Sequence, residues 1–569
     1  MIPTHIIIHD QPRAGRVRRR LAGILLSKTA SILCCLAGVG VAHATDITAD
    51  TVYRNGQIYT VDAGNPWAEA VVIKDGRFLY VGEADGAEVY VGPETDIVDL
   101  DGRMVLPGLH DAHQHLLKGQ MRSINCTVSP ESDVGQIIQA LRVCQKEGKT
   151  RGEWIVADVY NGDRFPGGKA HRRYLDEAFP DTPIYLREWS YHHALVNSRA
   201  LELAGIDRNT PDPDRGRILR DEAGEPTGEL LSKATFLALK AVPPLPPETV
   251  RGAVLKTAQM CNEWGITSTQ DAASNEEILR EIQVLDELEK WPLHTATHIV
   301  INHPGSSAMS LEDMDRLVRN RSLYQSRHLD TDFVKLYVDG SPLQPHATDV
   351  QMSPDGEIPY ERLYDSPNAL GQAVARFDRM GIKVKMHAVG TGATHVALNA
   401  IAAARAANGD SGLFHDISHS LRYSAIDIPR LVQLGAVAEM SPAIWQIKGP
   451  LTRNLADAWA FRTLSATGAL VTVGTDWVVL PEPNLFPALS GLLDHGEESL
   501  SLPEAIKTVT INGAISIGRQ DEIGSIAPGK IADMIVLDRN LFEVTPADIA
   551  DTRVLRTVFE GRVVYQAQE

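Results

Sequence analysis

Eight short apolar segments recur between residues 104 and 474 with helix-length stretches between them, and this alternation constrains the fold more than any other feature. Strands that alternate with helices are typical of parallel βα units, and eight such units close into a barrel. We therefore predict an α/β fold with a (β/α)₈ TIM-like barrel. The predicted strands are Met104–Leu106 with an extension to His115, Ile266–Gln270, His294–Ile301, Val334–Val338, Lys383–His387, Asp416–His419, Ala436–Met440 and Leu470–Gly474.

Three parts of the chain lie outside this pattern: the long stretch between the first two barrel strands and the two ends of the chain. Residues 117–250 separate the first strand from the second, which indicates a subdomain inserted over the barrel mouth. Residues 51–100 and the last fifty residues contain short alternating strands with Gly and Asp turns between them. We expect a small β-sandwich formed from both termini, with residues 45–103 as its first part, residues 104–512 as the barrel and residues 513–569 as its second part.

The first 44 residues read as a cleavable signal peptide. Six basic residues oppose only Asp10, an apolar run follows from Thr29 to Ala42, and the segment ends in the small-x-small sequence Ala42-His43-Ala44. A membrane anchor would need about 20 uninterrupted apolar residues, and Lys28 shortens this run. We predict cleavage after Ala44, a periplasmic or secreted location, and no stable membrane insertion of the mature chain.

The net negative charge indicates which kinds of molecule this protein binds. Lys and Arg number 55 against 73 Asp and Glu, so the formal net charge is −18, and removal of the leader would make it −23. A chain this acidic is poorly suited to bind a phosphate backbone, which excludes nucleic acid as the expected partner. In an exported protein, Cys126 and Cys144 are open to pairing or to a role as buried, inert thiols.

Five predicted strands carry polar side chains or end in them, and the carboxyl ends of the strands converge at the mouth where TIM-barrel enzymes carry their active sites. His113 and His115 alternate along an extended segment, so both imidazoles face the same side and can chelate one divalent ion. Lys335 places an ammonium inside an apolar strand, and pairing with a carboxylate would be its structural explanation. Together these side chains predict a metal site formed by His113, His115, Lys335, His387, His419 and Asp476.

Several stretches outside the predicted site carry a resemblance to a known family. They are Asn55–Asp62 and Asn65–Ala70 near the start, Trp189–Ser198 and Gly224–Gly228 in the insertion, and Gly524–Asp533 near the end. With the site residues, they resemble the amidohydrolase superfamily of metal-dependent hydrolases, and most closely its family-3 group of N-substituted formamide deformylase-like enzymes. The resemblance covers nearly all of the chain after the leader.

The resemblance implies a binuclear centre in which CO₂ carboxylates Lys335 and the product bridges two metal ions. His113 and His115 would hold one ion with Asp476, and His387 and His419 the other. Two zinc ions are implied, with Mn, Fe or Co as alternatives.

The resemblance also implies roles in catalysis. Asp476 would move a proton from a metal-activated water to the leaving nitrogen. His192 would bind the carbonyl oxygen or the substrate, or be a structural loop histidine.

The chain departs from the group's pattern at two places. Ala388-Val389-Gly390-Thr391-Gly392 follows His387 of the fifth strand where Gly-Asp is common, and Ser418 precedes His419 where Glu is common. Both changes keep the ligands but alter their neighbours, which can shift metal affinity about 10–100-fold.

The predicted function is an exported metal-dependent hydrolase that cleaves a non-peptide C–N bond in a small-molecule amide or N-substituted formamide. The alternatives are a mononuclear deaminase or cyclic amide or lactone hydrolase of the same superfamily, against which Lys335 argues, and a non-catalytic exported binding protein. The substrate is open, as is the oligomeric state, including a homo-oligomer. Aromatic residues that would accommodate an apolar substrate group are Trp189, Tyr191, Tyr337, Trp445 and Trp477.

Overall fold

The computed structural model describes residues 47–190, 192–302, 310–342, 347–441, 458–477 and 482–568, without the side chain of Arg122. The predicted signal peptide and its cleavage site, together with Tyr191 and Trp445, lie outside the described residues. No helix in the described ranges is both long and apolar enough to cross a bilayer.

The described strands follow one another along the chain in this order. The amino-terminal part contributes β1 (Thr51–Arg54), β2 (Gln57–Tyr59), β3 (Trp67–Ala68), β4 (Ala70–Lys74), β5 (Arg77–Gly82), β6 (Asp96–Asp99) and β7 (Met104–Pro107). Next come β8 (Leu109–Gln114), β9 (Cys126–Thr127), β10 (Ile155–Tyr160), β11 (Ile184–Glu188), β12 (His193–Val196), β13 (Gly216–Arg220) and β14 (Pro226–Ser232). The remainder are β15 (Ile266–Ser274), β16 (His294–Val300), β17 (Leu329–Tyr337), β18 (Lys383–Ala388), β19 (His415–His419), β20 (Ala436–Met440), β21 (Leu470–Val473), β22 (Met534–Leu537), β23 (Val554–Phe559) and β24 (Arg562–Gln566).

The described helices fill most of the intervals between these strands. They are α1 (Ala84–Ala87), α2 (Lys118–Ile124), α3 (Val134–Lys146), α4 (Arg173–Asp176), α5 (Ser198–Ala204), α6 (Thr235–Leu239), α7 (Pro247–Glu263), α8 (Glu276–Glu287), α9 (Leu311–Asn320), α10 (Pro367–Arg379), α11 (Thr391–Asn408), α12 (Ile428–Leu434), α13 (Phe461–Ala466), α14 (Phe486–Leu493), α15 (Leu502–Thr508), α16 (Ile511–Ser516) and α17 (Pro546–Ile549).

Eight parallel strands form a nearly closed barrel in the order β8-β15-β16-β17-β18-β19-β20-β21. The first and last strands meet through a parallel bridge between Gln114 and Trp477. Most of their residues are buried, because helices cover the outside of the sheet while side chains fill the interior. The predicted α/β barrel is confirmed.

The prediction that Met104–Leu106 begins the first barrel strand is wrong. β7 pairs in parallel with β2 and antiparallel with β22, and the barrel strand β8 begins only at Leu109. The chain leaves one sheet for the other at Pro107-Gly108, where a Cβ on Gly108 would lie 2.1 Å from Thr267 Oγ1. Only glycine permits this close approach, so the continuous apolar run divides between two sheets.

A six-stranded mixed sheet lies between β8 and β15 in the sequence, in the order β13-β14-β12-β11-β10-β9. Apolar clusters cover it, one of them around Leu141, Ile155 and Leu186. Cys126 at the start of β9 forms a disulfide with Cys144 on α3, so these two thiols pair, whereas Cys261 is a buried free thiol.

Strands from both ends of the chain form two further sheets. One has the order β5-β4-β1-β6, and the other, β24-β23-β22-β7-β2-β3, combines amino-terminal with carboxyl-terminal strands. Val71 and Phe78 from the first sheet and Met534 and Val558 from the second belong to one apolar cluster. The packing of both sheets as a β-sandwich stays a prediction.

Candidate metal centre

The six residues predicted to bind metal converge at the carboxyl ends of the barrel strands. His115 Nε2 lies 3.3 Å from Asp476 Oδ1, and His113 Nε2 lies 3.7 Å from the same oxygen. His419 Nδ1 approaches the other oxygen, Oδ2, to 3.9 Å. The His387 ring centroid is 4.6 Å from that of His419. The Asp476 carboxylate therefore stands among three imidazoles with a fourth beside them.

Hydrogen bonds fix which ring nitrogen of two histidines is available as a ligand. His113 Nδ1 donates to Glu439 Oε1 at 2.7 Å, and His387 Nε2 donates to the carbonyl oxygen of Gly340 at 3.2 Å. In a neutral imidazole, the nitrogen that does not donate carries the lone pair. His113 Nε2, which faces Asp476, and His387 Nδ1 are thus the atoms able to bind a metal ion.

Burial keeps the imidazoles of the centre in the neutral form that metal ions require. Desolvation lowers the pKa of His113, His115 and His387, and lowers that of His419 to about 3. Protonation would not compete with metal binding near neutral pH. The donor set of neutral imidazoles and a carboxylate fits a divalent transition metal.

Lys335 lies in the same cluster, fully buried. Its Nζ donates to Ser418 Oγ at 3.0 Å, and no carboxylate lies within ion-pair distance among the described residues. Burial lowers the pKa of Lys335 to about 7, and the charge of the neighbouring Lys385 adds to this effect. The carboxylate pairing considered as its structural explanation is therefore absent from the described part of the chain.

His192 comes from the insertion and reaches the barrel mouth. Its ring centroid is 5.4 Å from that of His387 and 6.4 Å from that of Tyr337. Tyr337 in turn stacks on His387 at 5.0 Å. Trp477 packs over Gly119, where a Cβ would lie 2.1 Å from the indole ring, and Trp189 is half-buried in the insertion.

The sequence reasoning missed the charged residues behind the ligands. Lys385 donates to Glu439 and to the carbonyl oxygen of Ala112, and its Nζ lies 3.3 Å from Asp416 Oδ2. Glu439 thereby holds both Lys385 and the ligand His113. The signal was present, because Lys385 lies two residues before His387 on β18 and strand alternation places both on one face.

Asp111 connects the two ends of the barrel sheet beneath the centre. Its carboxylate accepts hydrogen bonds from the backbone N–H of His113 at 3.1 Å and from the hydroxyl of Thr475 at 2.7 Å. Burial raises the pKa of Asp111 to about 7. This residue joins the segment that carries the first two histidines to the segment that carries Asp476.

Two of the predicted ligands have a left-handed backbone conformation. The φ angle is 73° at His419 and 46° at Asp476. Such a conformation costs on the order of 1–3 kcal/mol for a residue like histidine and is found mainly where function requires it. Trp459 Nε1 donates to the carbonyl oxygen of His419 at 3.1 Å and holds the turn in place.

A second group of potential ligands, His294, His328 and Glu560, lies at the opposite, amino-terminal end of the barrel strands. Both ring nitrogens of His328 are hydrogen-bonded to carboxylates, Nδ1 to Asp286 and Nε2 to Glu560 Oε1 at 3.0 Å, and His294 Nε2 is hydrogen-bonded to Asp533 Oδ2 at 2.9 Å. This group is therefore better described as an ion-paired network than as a metal site.

Comparison with known proteins places this geometry in a family. The model of the amidohydrolase family matches residues 96–565. The chain belongs to the amidohydrolase family. It is 29% identical over 548 residues to the putative amidohydrolase YtcJ of Bacillus subtilis (strain 168), a match that covers 90% of this chain and 99% of that protein. It is 27% identical over 546 residues to the N-substituted formamide deformylase of Arthrobacter pascens, covering 91% and 98%.

A solved structure shows the shared fold. The uncharacterized metal-dependent hydrolase from Pyrococcus horikoshii OT3 superposes with a TM-score of 0.65 at 23% identity, over 87% of this chain and 99% of that chain. The predicted family is confirmed, and the protein is a metal-dependent amidohydrolase that acts on carbon–nitrogen bonds.

Proposed function

We propose that this amidohydrolase cleaves a non-peptide C–N bond in a small amide or N-substituted formamide with the help of two divalent metal ions. Zinc is the metal that we expect. The observation that carries the proposal is the convergence of four neutral imidazoles, Asp476 and the buried Lys335 at the barrel mouth. The name of the Arthrobacter pascens relative supports a formamide as the substrate class.

The residues present divide into two ligand sets. His113, His115 and Asp476 would hold one ion, and His387 and His419 the other. Metal ions bound by such sets lower the pKa of a coordinated water and polarise the amide carbonyl.

Lys335 would join the two sets as a carboxylated lysine. The ammonium would first release one proton to solvent, and the resulting amine would add to the carbon of CO₂ and release a second proton. A buried cation without an ion pair among the described residues would thereby become an anion with two oxygens able to bind metal ions. Burial of an uncompensated ammonium is costly, and this conversion removes the cost.

Asp476 and His192 would act directly on the reacting groups. Asp476, whose carboxylate lies between His115 and His419, would accept a proton from the attacking water and deliver it to the leaving nitrogen. His192, whose ring lies beside that of His387, would donate a hydrogen bond to the carbonyl oxygen as negative charge develops there.

We also propose that the protein is exported, with the leader removed after Ala44. The basic and apolar pattern of residues 1–44 supports this, as does the Cys126–Cys144 disulfide, since such bonds persist in oxidising compartments. Amino-terminal sequencing of the protein recovered from the periplasm or medium should begin at Thr45. An intact Met1 on a cytosolic protein would contradict export without affecting the proposed reaction.

The reaction is tested with zinc- or manganese-loaded protein by the release of formate and amine from N-substituted formamides and of carboxylate and amine from simple amides. Asp476→Asn should lower kcat about 10²–10⁴-fold, whereas the exposed control Asp494→Asn should leave it unchanged. Ammonia release from aminated heterocycles in place of amide cleavage would favour the deaminase alternative. Turnover that survives Asp476→Asn would contradict the role given to Asp476.

A further inference from the structure

A cavity of about 520 Å³ lies between the barrel and the insertion, beside the metal centre. Its wall includes the apolar side chains of Leu117 and Met121 and six basic residues, of which Lys118, Arg151 and Arg187 are the three that are not exposed. Lys118 follows the ligand His115 by three residues at the start of α2, and its charge interacts with those of Asp271 and Asp476. The volume is in the range of small-molecule sites.

Two of these cations lack full compensation among the described residues. The Lys118 ammonium makes neither a hydrogen bond nor an ion pair there. Arg151 Nη2 donates to Asn125 Oδ1 at 3.1 Å, while its buried Nε has no hydrogen-bond partner. Arg187 differs, since its Nε lies 3.7 Å from Asp158 Oδ1.

The carboxylates on the cavity wall do not remove this excess of positive charge. At the rim, Glu276 pairs with Arg280 and Asp313 pairs with Arg316. Glu277 is the remaining carboxylate on the wall, and it interacts with Arg151. With Asp158 opposite Arg187 and Glu277 opposite Arg151, Lys118 is the one of these three cations that makes no ion pair among the described residues, although the charges of Asp271 and Asp476 act on it from further away.

The three cations also repel one another. Burial, followed by the charge of Arg187, lowers the pKa of Lys118 to about 8 and that of Arg151 to about 10. An anion between them would relieve both the repulsion and the desolvation.

We propose that this cavity binds a carboxylate group of the substrate, so that the enzyme prefers amides whose nitrogen substituent carries a carboxylate close to the scissile bond. The inference rests on the proposed function. A buried ammonium without an ion pair suits an anionic group, and two arginine forks suit a planar carboxylate. The position of Lys118 between the cavity and the metal centre places the carboxylate near the amide, and the apolar wall at Leu117 and Met121 would contact the rest of the substituent.

A matched pair of substrates tests the proposal on the metal-loaded enzyme. N-formylphenylalanine and N-(2-phenylethyl)formamide differ only in the carboxylate. We expect kcat/KM to be about 10–100-fold higher for the acid, the range of one or two charge-assisted hydrogen bonds. Lys118→Met and Arg151→Met should each remove most of this preference, mainly through KM, and lower kcat/KM for the neutral formamide much less than for the acid.

The control is Lys240→Met, which removes an exposed lysine at the outer part of the same cavity, where its ammonium lies 4.4 Å from the Phe236 ring centroid. This variant should keep the preference for the acid. Retained hydrolysis of the neutral formamide shows that each variant is folded. Equal kcat/KM for the two substrates, or equal losses on both in Lys118→Met, would overturn the inference.

Calorimetric titration of the metal-loaded protein with N-formylphenylalanine separates this inference from the proposed reaction. Binding that weakens at least about tenfold in Lys118→Met would uphold the carboxylate site even if neither formamide is hydrolysed. Hydrolysis of both formamides without any preference would leave the proposed reaction standing and refute the carboxylate site.

Discussion

Two buried lysines on neighbouring strands of the barrel have different surroundings. Lys335 on β17 and Lys385 on β18 are direct register partners, and both are fully buried. Lys385 has Glu439 and Asp416 as counterions, whereas Lys335 has only the hydroxyl of Ser418 as a hydrogen-bond partner among the described residues. Lys385 is therefore part of an ionic network behind the ligands, whereas Lys335 has no ion pair among the described residues.

Glu439 contacts both the ionic network and the metal centre, because it accepts hydrogen bonds from Lys385 and from Nδ1 of His113. Glu439→Gln should lower metal affinity about 10–100-fold, since the ligand His113 loses the anion that orients it. Competition with a chromophoric chelator measures the affinity, and circular dichroism reports whether the variant is folded. The exposed Glu153→Gln serves as the control. Unchanged affinity in a folded Glu439→Gln protein would show that Glu439 only stabilises the barrel.

At the scale of elements, an ionic network joins the bottom of the barrel to the terminal sheet. His328, just before β17, donates to Asp286 on α8 and to Glu560 in the turn between β23 and β24. Burial alone would lower the pKa of His328, but the two carboxylates outweigh it and raise that pKa. The same contact lowers the pKa of Glu560 to about 2, although burial opposes the shift.

These shifts predict how the network depends on pH. The His328 contribution is complete below its unfolded pKa of about 6.5 and is lost as pH rises through the higher folded value, whereas the Glu560 contribution is lost as pH falls from about 4.5 to about 2. His328→Gln should therefore lower the free energy of unfolding by about 1–3 kcal/mol near pH 5.5 and by less near pH 9.

Urea unfolding at the two pH values measures this difference. The control is His171→Gln, at a histidine with no carboxylate within ion-pair distance in the described part of the chain. A cost of His328→Gln that is the same at both pH values would mean that charge does not carry the effect.

We expect a disulfide within the insertion to stabilise it. The disulfide between Cys126 and Cys144 ties β9 to α3 across 18 residues. Its removal in a Cys126→Ser, Cys144→Ala double variant should cost about 3 kcal/mol, because the unfolded loop gains freedom. Thermal unfolding with and without dithiothreitol gives the comparison, and Cys261→Ala controls for the remaining thiol. Equal unfolding temperatures in reduced and oxidised protein would contradict a stabilising role.

At the scale of the whole molecule, the alternation of strands and helices predicted the barrel, and the strand ends predicted which side chains converge at its mouth. His113, His387 and Asp476 follow or end apolar segments, and parallel strands bring such ends together, so their proximity could be predicted without a structure. Met104 could not be assigned to its sheet, because one apolar run supplies strands to two sheets.

The sequence also could not predict which residues pair with the buried charges. A charge within a strand predicts that a partner exists but does not say which one, so the Glu439–Lys385 pair was not foreseen. Lys118, Arg151 and Arg187 line one cavity although they are far apart in the sequence. Their proximity comes from the tertiary structure and could not be predicted from the sequence.

The central claim is that Lys335 completes a two-metal centre, and the metal content per chain tests it most directly. Elemental analysis of the purified protein should give about two divalent ions per chain, falling to about one or fewer in Lys335→Ala, with the exposed Lys149→Ala unchanged. One ion per chain, unaffected by Lys335→Ala, would contradict the account and favour a mononuclear enzyme.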